Sequence, residues 1–282
     1  MNLPLIGYMG DLISRNAAFR LRVDIPAHHC KFPYFFGAAG DLNFVYRRIT
    51  EREYASLKTP LIYDFSNDLL NSNVERLKKE AYMWIDRAKW ITCTTEPIQQ
   101  SIFKNTGRIA TVIPDPYEFK PQLPRYNQDD TLLWFGHEMH IKSILPIKKK
   151  FKDKLIILSN CPDADIQWTL EKEKELLKTC GGVLITSVSK NSSNNRLIKS
   201  IMMGKFTVVA GNAPPSYHEF DFATTYKQYI DYRSNPDPYH AKILLQQEEI
   251  KRLYSPEAIG LKWQRFWIER WKDHTGIEIK FD

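Results

Sequence analysis

The chain has 282 residues, 43% of them hydrophobic and 26% charged, with only 12 glycines and 16 prolines. Such proportions belong to ordinary globular chains and exclude a fibrous or low-complexity polymer, and the length suits one large α/β domain or two smaller ones. Forty Lys plus Arg against 33 Asp plus Glu give a net charge of +7, which favours anionic partners: nucleic acid, nucleotide phosphates or anionic membranes.

No run of about 18 apolar residues occurs, and the start MNLPLIGYMGDL lacks a basic region and a small-residue cleavage site. Neither a spanning helix nor a signal peptide is expected, and cytoplasmic residence is the default. Cys30, Cys93, Cys161 and Cys180 form no CxxC pair, so buried free thiols are expected rather than a zinc knuckle or a disulfide framework. Aromatic residues reach 13%, with seven Trp; most suit core filling, and some suit stacking on bases or sugar rings.

Short apolar runs recur in the first half at Leu3 to Tyr8, Leu42 to Tyr46, Pro60 to Tyr63, Trp90 to Thr94 and Ala110 to Ile113. Between them Asn73 to Arg87 and Glu96 to Lys104 space apolar residues along one helical face, which predicts βαβ units and a parallel sheet. Pro114-Asp115-Pro116 and the polar stretch Lys120 to Asp130 then read as a linker. The pattern restarts with strands at Leu132 to Phe135, Leu155 to Leu158, Val183 to Ile185 and Thr207 to Ala210, and helices at Ile166 to Cys180 and Asn195 to Met203. The tail from Ala241 to Lys272 reads as one packing helix, with Trp263, Phe266, Trp267 and Trp271 on helical spacing; a helix lying on a membrane surface is the less favoured alternative. The expected fold class is α/β: two Rossmann-like domains facing each other across a cleft. Residues 1–119 form the first, 120–130 the linker, 131–240 the second, and 241–282 a C-terminal helix packing across both.

The most informative stretch runs from Ser189 to Ala210: a polar loop, a helix, a glycine turn and a strand. Ser192 or Ser193 can cap the helix ahead of Asn195, leaving backbone N–H groups and a positive dipole end for a pyrophosphate. Lys190, Arg196 and Lys199 add positive charge there, and Arg196 suits bidentate oxygen contacts. A solvated basic helix start fits the same residues equally well. Gly136, His137, His140 and Lys142 follow a strand, where glycine permits close approach of a diphosphate and His or Lys can neutralise leaving-group charge. Asp11, just past the first strand, is a candidate base for an acceptor hydroxyl or else a helix cap.

Several motifs in order resemble the GT-B glycosyltransferases, especially compact bacterial and phage members related to the large retaining family. Tyr63-Asp64-Phe65-Ser66-Asn67-Asp68, Ile91-Thr92-Cys93-Thr94-Thr95-Glu96 and Val112-Ile113-Pro114-Asp115 resemble its N-terminal strand ends and linker entry. Leu133-Trp134-Phe135-Gly136-His137, then Asn195 to Ala210 followed by Pro215-Ser216-Tyr217-His218-Glu219-Phe220, resemble its donor domain. The resemblance implies a nucleotide-sugar donor, a UDP-sugar before others, held by the C-terminal unit through Gly136, His140, Lys142, Lys190, Ser192, Ser193, Asn195, Arg196 and Lys199. By their places just past strands, and not by the resemblance, Asp11 and His137 are the candidate catalytic residues. Retaining relatives carry two glutamates seven residues apart, but Lys199 and the region of Asn191 stand there, so the stereochemical outcome is unassigned.

The acceptor is implied to meet the N-terminal unit, at Asp64 and at the basic clusters holding Arg20, Arg22, Arg47 and Arg48. These clusters fit a polyanion, which favours the hydroxymethyl group of a modified pyrimidine in DNA, as in phage DNA glycosyltransferases. A cell-surface glycan or lipid-linked oligosaccharide is the second reading, and a non-catalytic nucleic-acid-binding protein on the same fold the third. No obligatory metal is expected: Asp163-Ala164-Asp165 has the DxD spelling of the other major glycosyltransferase fold, but so short a pattern arises by chance, and His28-His29-Cys30 cannot converge on one ion.

Overall fold

The computed structural model describes residues 3–10, 19–46, 49–125, 131–151, 154–186, 193–210 and 226–280. The chain divides into two units, Met1–Pro116 with Leu253–Asp282, and Tyr117–Arg252. The first unit therefore ends at Pro116, and the stretch 241–282 is shared between the two.

In the first unit β1 (Ile6–Gly10), β2 (Tyr34–Phe36), β3 (Leu42–Tyr46), β4 (Leu61–Phe65), β5 (Trp90–Cys93) and β6 (Thr111–Val112) form a parallel sheet ordered β2-β1-β3-β4-β5-β6. A π-helical turn, Arg20–Asp24, leads into α1 (Ile25–His29); α2 (Glu51–Ala55), α3 (Glu75–Arg87) and α4 (Glu96–Thr106) supply the other connections. Because successive strand side chains point to opposite faces, Leu42, Phe44 and Tyr46 enter one core while Val45 enters the other. Covered on both sides, these strands are mostly apolar, with buried Asn43, Asp64 and Thr92 as polar exceptions, which is why they read as runs rather than alternations. On the second face α3 buries Ala81, Trp84 and Ile85, and α4 buries Ile98 and Ile102 after Thr95 caps its first turn.

In the second unit the described strands are β7 (Leu132–Phe135), β8 (Leu155–Ser159), β9 (Ile166–Gln167), β10 (Gly182–Thr186) and β11 (Thr207–Ala210), parallel in the order β11-β10-β7-β8-β9. The helices are α5 (Ile141–Phe151), α6 (Leu170–Thr179), α7 (Asn195–Met202), α8 (Tyr226–Ser234) and α9 (Asp237–Tyr254), the last running into the boundary. From β7 the chain winds out through β8 and β9, then crosses to the other side of β7 to form β10. The carboxyl ends of β7 and β10 thus flank the point where winding reverses, where open α/β sheets bind ligands. In the first unit the same reversal lies between β1 and β3.

The single helix expected from Ala241 to Lys272 is two. Ser255 Oγ accepts from Ala258 N at 3.1 Å and Pro256 starts a new helix, α10 (Pro256–Thr275), because proline fits a first turn but not an interior. α10 returns to the first unit, where Trp263 meets Phe44 edge-on at 5.2 Å and stacks on Trp267 at 5.5 Å. Gly260 permits the contact with α1: a Cβ there would lie 2.6 Å from His29 O. Trp263, Phe266 and Trp267 are each at most 2% exposed, and each contributes roughly 1.5–3 kcal/mol by burial. None of the described helices is long and apolar enough to cross a membrane.

Candidate functional site

The second unit brings several expected donor residues together at its reversal point. β7 ends at Phe135 and the chain turns at Gly136, whose N–H donates to Leu158 O at 3.4 Å and whose carbonyl accepts from Ser159 Oγ at 2.9 Å. A Cβ on Gly136 would stand 2.9 Å from the Trp134 ring and 3.2 Å from Arg196 Nη1, so a side chain there would crowd the indole and press on the guanidinium. Arg196, in the first turn of α7, is half-buried and its Nη1 donates to Phe135 O at 3.4 Å. Asn194, at the cap position, makes no side-chain bond to that turn, although Asn195 N donates to Ser193 Oγ at 3.3 Å. Among the described residues the start of α7 is therefore an electropositive end whose cap residue, Asn194, leaves its first-turn amides without a side-chain oxygen of its own.

His137 is exposed and His140 half-buried, joined by His140 N donating to His137 O at 2.9 Å. Burial, then the Arg196 charge and His137, pull the His140 imidazole down to about 4. In the unliganded site it is neutral at pH 7 and offers a hydrogen bond. Lys142 lies exposed in the first turn of α5. Hydroxyls that sequence spacing does not mark complete the surroundings. Thr186 Oγ1, at the end of β10, accepts from Trp134 Nε1 at 3.1 Å and lies 3.3 Å from Ser143 Oγ, which donates to His140 O at 2.7 Å.

Lys199 does not join this group. It is 6% exposed, and its ammonium lies 2.6 Å from Glu173 Oε1 and 2.9 Å from Glu118 Oε2. Burial opposes its charge, but Glu173 and then Glu118 raise it above the ordinary lysine value, so it is a buried paired cation rather than a phosphate ligand.

Arg22 and Asp64, expected at the acceptor, are likewise buried and hold each other. Arg22 donates from Nε to Asp64 Oδ2 at 3.0 Å and from Nη2 to Oδ1 at 2.5 Å, both side chains being wholly buried. Thr92 Oγ1 adds a bond to Asp64 Oδ1 at 2.7 Å; Arg22 Nη1 donates to Ile113 O and lies 3.5 Å from Asp115. The guanidinium also stands over Trp263 at 5.1 Å. Burial works against the Arg22 charge, and Asp64 more than restores it, raising Arg22 above its usual value. No surface remains on either side chain for an acceptor, and Arg20 is also buried at 9% exposure. Asp11, Arg47, Arg48, Lys190 and Ser192 lie outside the described residues. Among the described residues no three His, Cys, Asp or Glu side chains group to hold a metal ion.

Two parallel Rossmann-like units define the GT-B fold. No family model and no curated protein matches the sequence, but solved structures match the fold. One is Anabaena Alr3699/HepE in complex with UDP and glucose, with a TM-score of 0.68, 11% identity, and coverage of 93% of this chain and 98% of that one. Another is an alpha-glucosyltransferase in complex with UDP and a 13-mer DNA containing an A:G mismatch, with a TM-score of 0.62, 9% identity, and coverage of 93% and 98%. A glycosyltransferase from Rickettsia africae ESF-5 aligns with a TM-score of 0.60 and 11% identity, covering 97% of this chain and 100% of that one. At these identities the likeness is one of fold.

Proposed function

We propose that this protein is a glycosyltransferase that moves a sugar from a UDP-sugar to a hydroxyl, the acceptor being a hydroxymethylated pyrimidine in DNA. The observation that carries the donor assignment is the meeting of Gly136, His140 and Arg196 at the start of α7, at the carboxyl end of a parallel sheet where its winding reverses. Gly136 lets Arg196 lie against the end of β7, Arg196 and the first amides of α7 hold the charge of a diphosphate, and His140 adds a hydrogen bond. Structures solved with UDP share the fold over nearly the whole chain, which supports the same reading.

The acceptor falls to the first unit. β1 and β3 flank its reversal point, and their last residues, Gly10 and Tyr46, are register partners. Asp11 and Arg47-Arg48 are the next residues in sequence after those two. In the transfer, the bond from the sugar C1 to the β-phosphate oxygen breaks and a bond from C1 to the acceptor oxygen forms. The hydroxyl proton passes to the Asp11 carboxylate, and UDP leaves with its charge on Arg196 and α7. A net charge of +7 and a fold neighbour solved with DNA favour a polyanionic acceptor.

Mass spectrometry of hydroxymethylated and unmodified DNA, incubated with UDP-sugars and the protein, tests this. Sugar is expected on the hydroxymethylated DNA alone. Extension of lipid-linked or surface oligosaccharides with no sugar on DNA would replace the acceptor, and DNA binding without transfer or donor hydrolysis would make the protein a binding module. Arg196→Ala is expected to remove a charge-assisted hydrogen bond of about 1.5–3 kcal/mol, so UDP affinity falls at least about tenfold.

A further inference from the structure

A lysine held between two carboxylates deep in the second unit has no part in the transfer just described, yet it stands one turn along α7 from Arg196. Lys199 reaches Glu173 on α6 at 2.6 Å and Glu118, just past the unit boundary, at 2.9 Å. Glu173 is fixed in turn by Trp168, whose Nε1 donates to its other oxygen at 2.6 Å. The same ammonium lies 5.9 Å from the Phe135 ring, and the Phe135 carbonyl is the acceptor for Arg196 Nη1 at 3.4 Å. Residues three apart on a helix face the same way, so Lys199 and Arg196 grip the end of β7 from one side of α7. A buried charge with two partners tolerates little displacement, since moving off either carboxylate leaves an uncompensated ion.

We infer that Lys199, through its paired contacts with Glu173 and Glu118, is a positioning residue that sets α7 so that Arg196 presents its guanidinium at the Gly136 turn. This deepens the donor-site reading and rests on it. Lys199 touches no nucleotide itself: its effect on nucleotide binding passes through Arg196.

The test is a double-mutant cycle on UDP affinity, measured by calorimetry with the full chain: wild type, Arg196→Ala, Lys199→Met and the double variant, with Lys199→Arg as the conservative replacement. Arg196→Ala and Lys199→Met are each expected to weaken UDP at least about tenfold. The double variant is expected within about twofold of Arg196→Ala, because a residue acting through Arg196 has nothing left to act on. Lys199→Arg, able to meet both carboxylates, is expected to stay within about threefold of wild type. Wild-type affinity in Lys199→Met, or losses that multiply in the double variant, would overturn the inference while leaving the donor site standing. Wild-type affinity in Arg196→Ala would overturn both. If Lys199→Met does not fold, Glu173→Gln replaces it in the same cycle, with the same expected and refuting results.

Discussion

Replacing Asp64 with alanine takes from Arg22 its two hydrogen bonds at 2.5 and 3.0 Å, and from Thr92 its acceptor at 2.7 Å. The guanidinium stays wholly buried, with the Ile113 carbonyl and Asp115 at 3.5 Å as its remaining oxygen partners. Breaking one side of a buried pair costs about 3–5 kcal/mol; Asp115 moderates this, and the Thr92 hydroxyl adds about 1 kcal/mol. A loss of about 4 kcal/mol lowers the melting temperature by about 8–16 °C at about 2–4 °C per kcal/mol for a unit of this size. Scanning calorimetry of the full chain reads the shift, and UDP titration below the transition reads the site. UDP affinity should be unchanged, since Asp64 belongs to the first unit. A variant that melts within about 2 °C of wild type but no longer accepts DNA would refute the assignment and return Asp64 to the acceptor surface.

Gly136→Ala should push Arg196 off its bond to Phe135, because the new methyl would meet Trp134 at 2.9 Å and the guanidinium at 3.2 Å; UDP affinity falls several-fold while stability drops by about 1–3 kcal/mol of strain. His140, held at about 4 against an ordinary 6.5, binds its proton more weakly folded than unfolded, so its contribution is complete above pH 6.5 and is lost as pH falls from there towards 4. Denaturant unfolding at pH 7 and pH 4.5 should therefore show a fall in stability of up to about 2 kcal/mol, solvent screening included, that His140→Gln removes; a pH-independent wild type would count against it. Asp11→Asn should lower turnover about 100-fold with UDP affinity intact; loss of about 1 kcal/mol of stability at full rate would make Asp11 a cap. Arg47→Ala with Arg48→Ala should flatten the salt dependence of DNA affinity, by about 0.9 log units per log unit of salt for each phosphate left unneutralised, and an unchanged slope would remove both from the DNA surface.

Strands buried on both faces are legible in the sequence because burial makes them nearly continuous: the runs Leu42 to Tyr46, broken only by Asn43, and Leu132 to Phe135 coincide with β3 and β7 to the residue. What sequence obscures is short or interrupted. Ile166-Gln167 merges with the following helix because its isoleucine continues the apolar period, whereas the helix begins only after Thr169 accepts from Lys172 N. Tyr34–Phe36 is an edge strand of three residues, too short for a periodicity. α5 is hidden because Pro146 sits inside it. At the site, glycine after a strand and arginine at a helix start are readable locally. The partners of the charged residues are not: Arg22 finds Asp64 42 residues away, and Lys199 finds Glu173 26 residues away, with no spacing rule to announce either. A basic residue in a cluster therefore reads as surface when it is core.

Because α10 follows the whole of the second unit in sequence, the first unit is completed after the second during synthesis. As the chain emerges from the ribosome, Met1–Pro116 appears first but lacks Trp263, Phe266 and Trp267, which pack with Phe44 and Tyr8 in the finished core. Domains generally fold as units during synthesis. Tyr117–Arg252 is thus complete while its predecessor still waits with an apolar sheet face exposed, and the nascent protein is most vulnerable to aggregation between those two moments. A stop codon after Arg252 would take Trp263, Phe266 and Trp267 from the first core, since the missing helix is its lid.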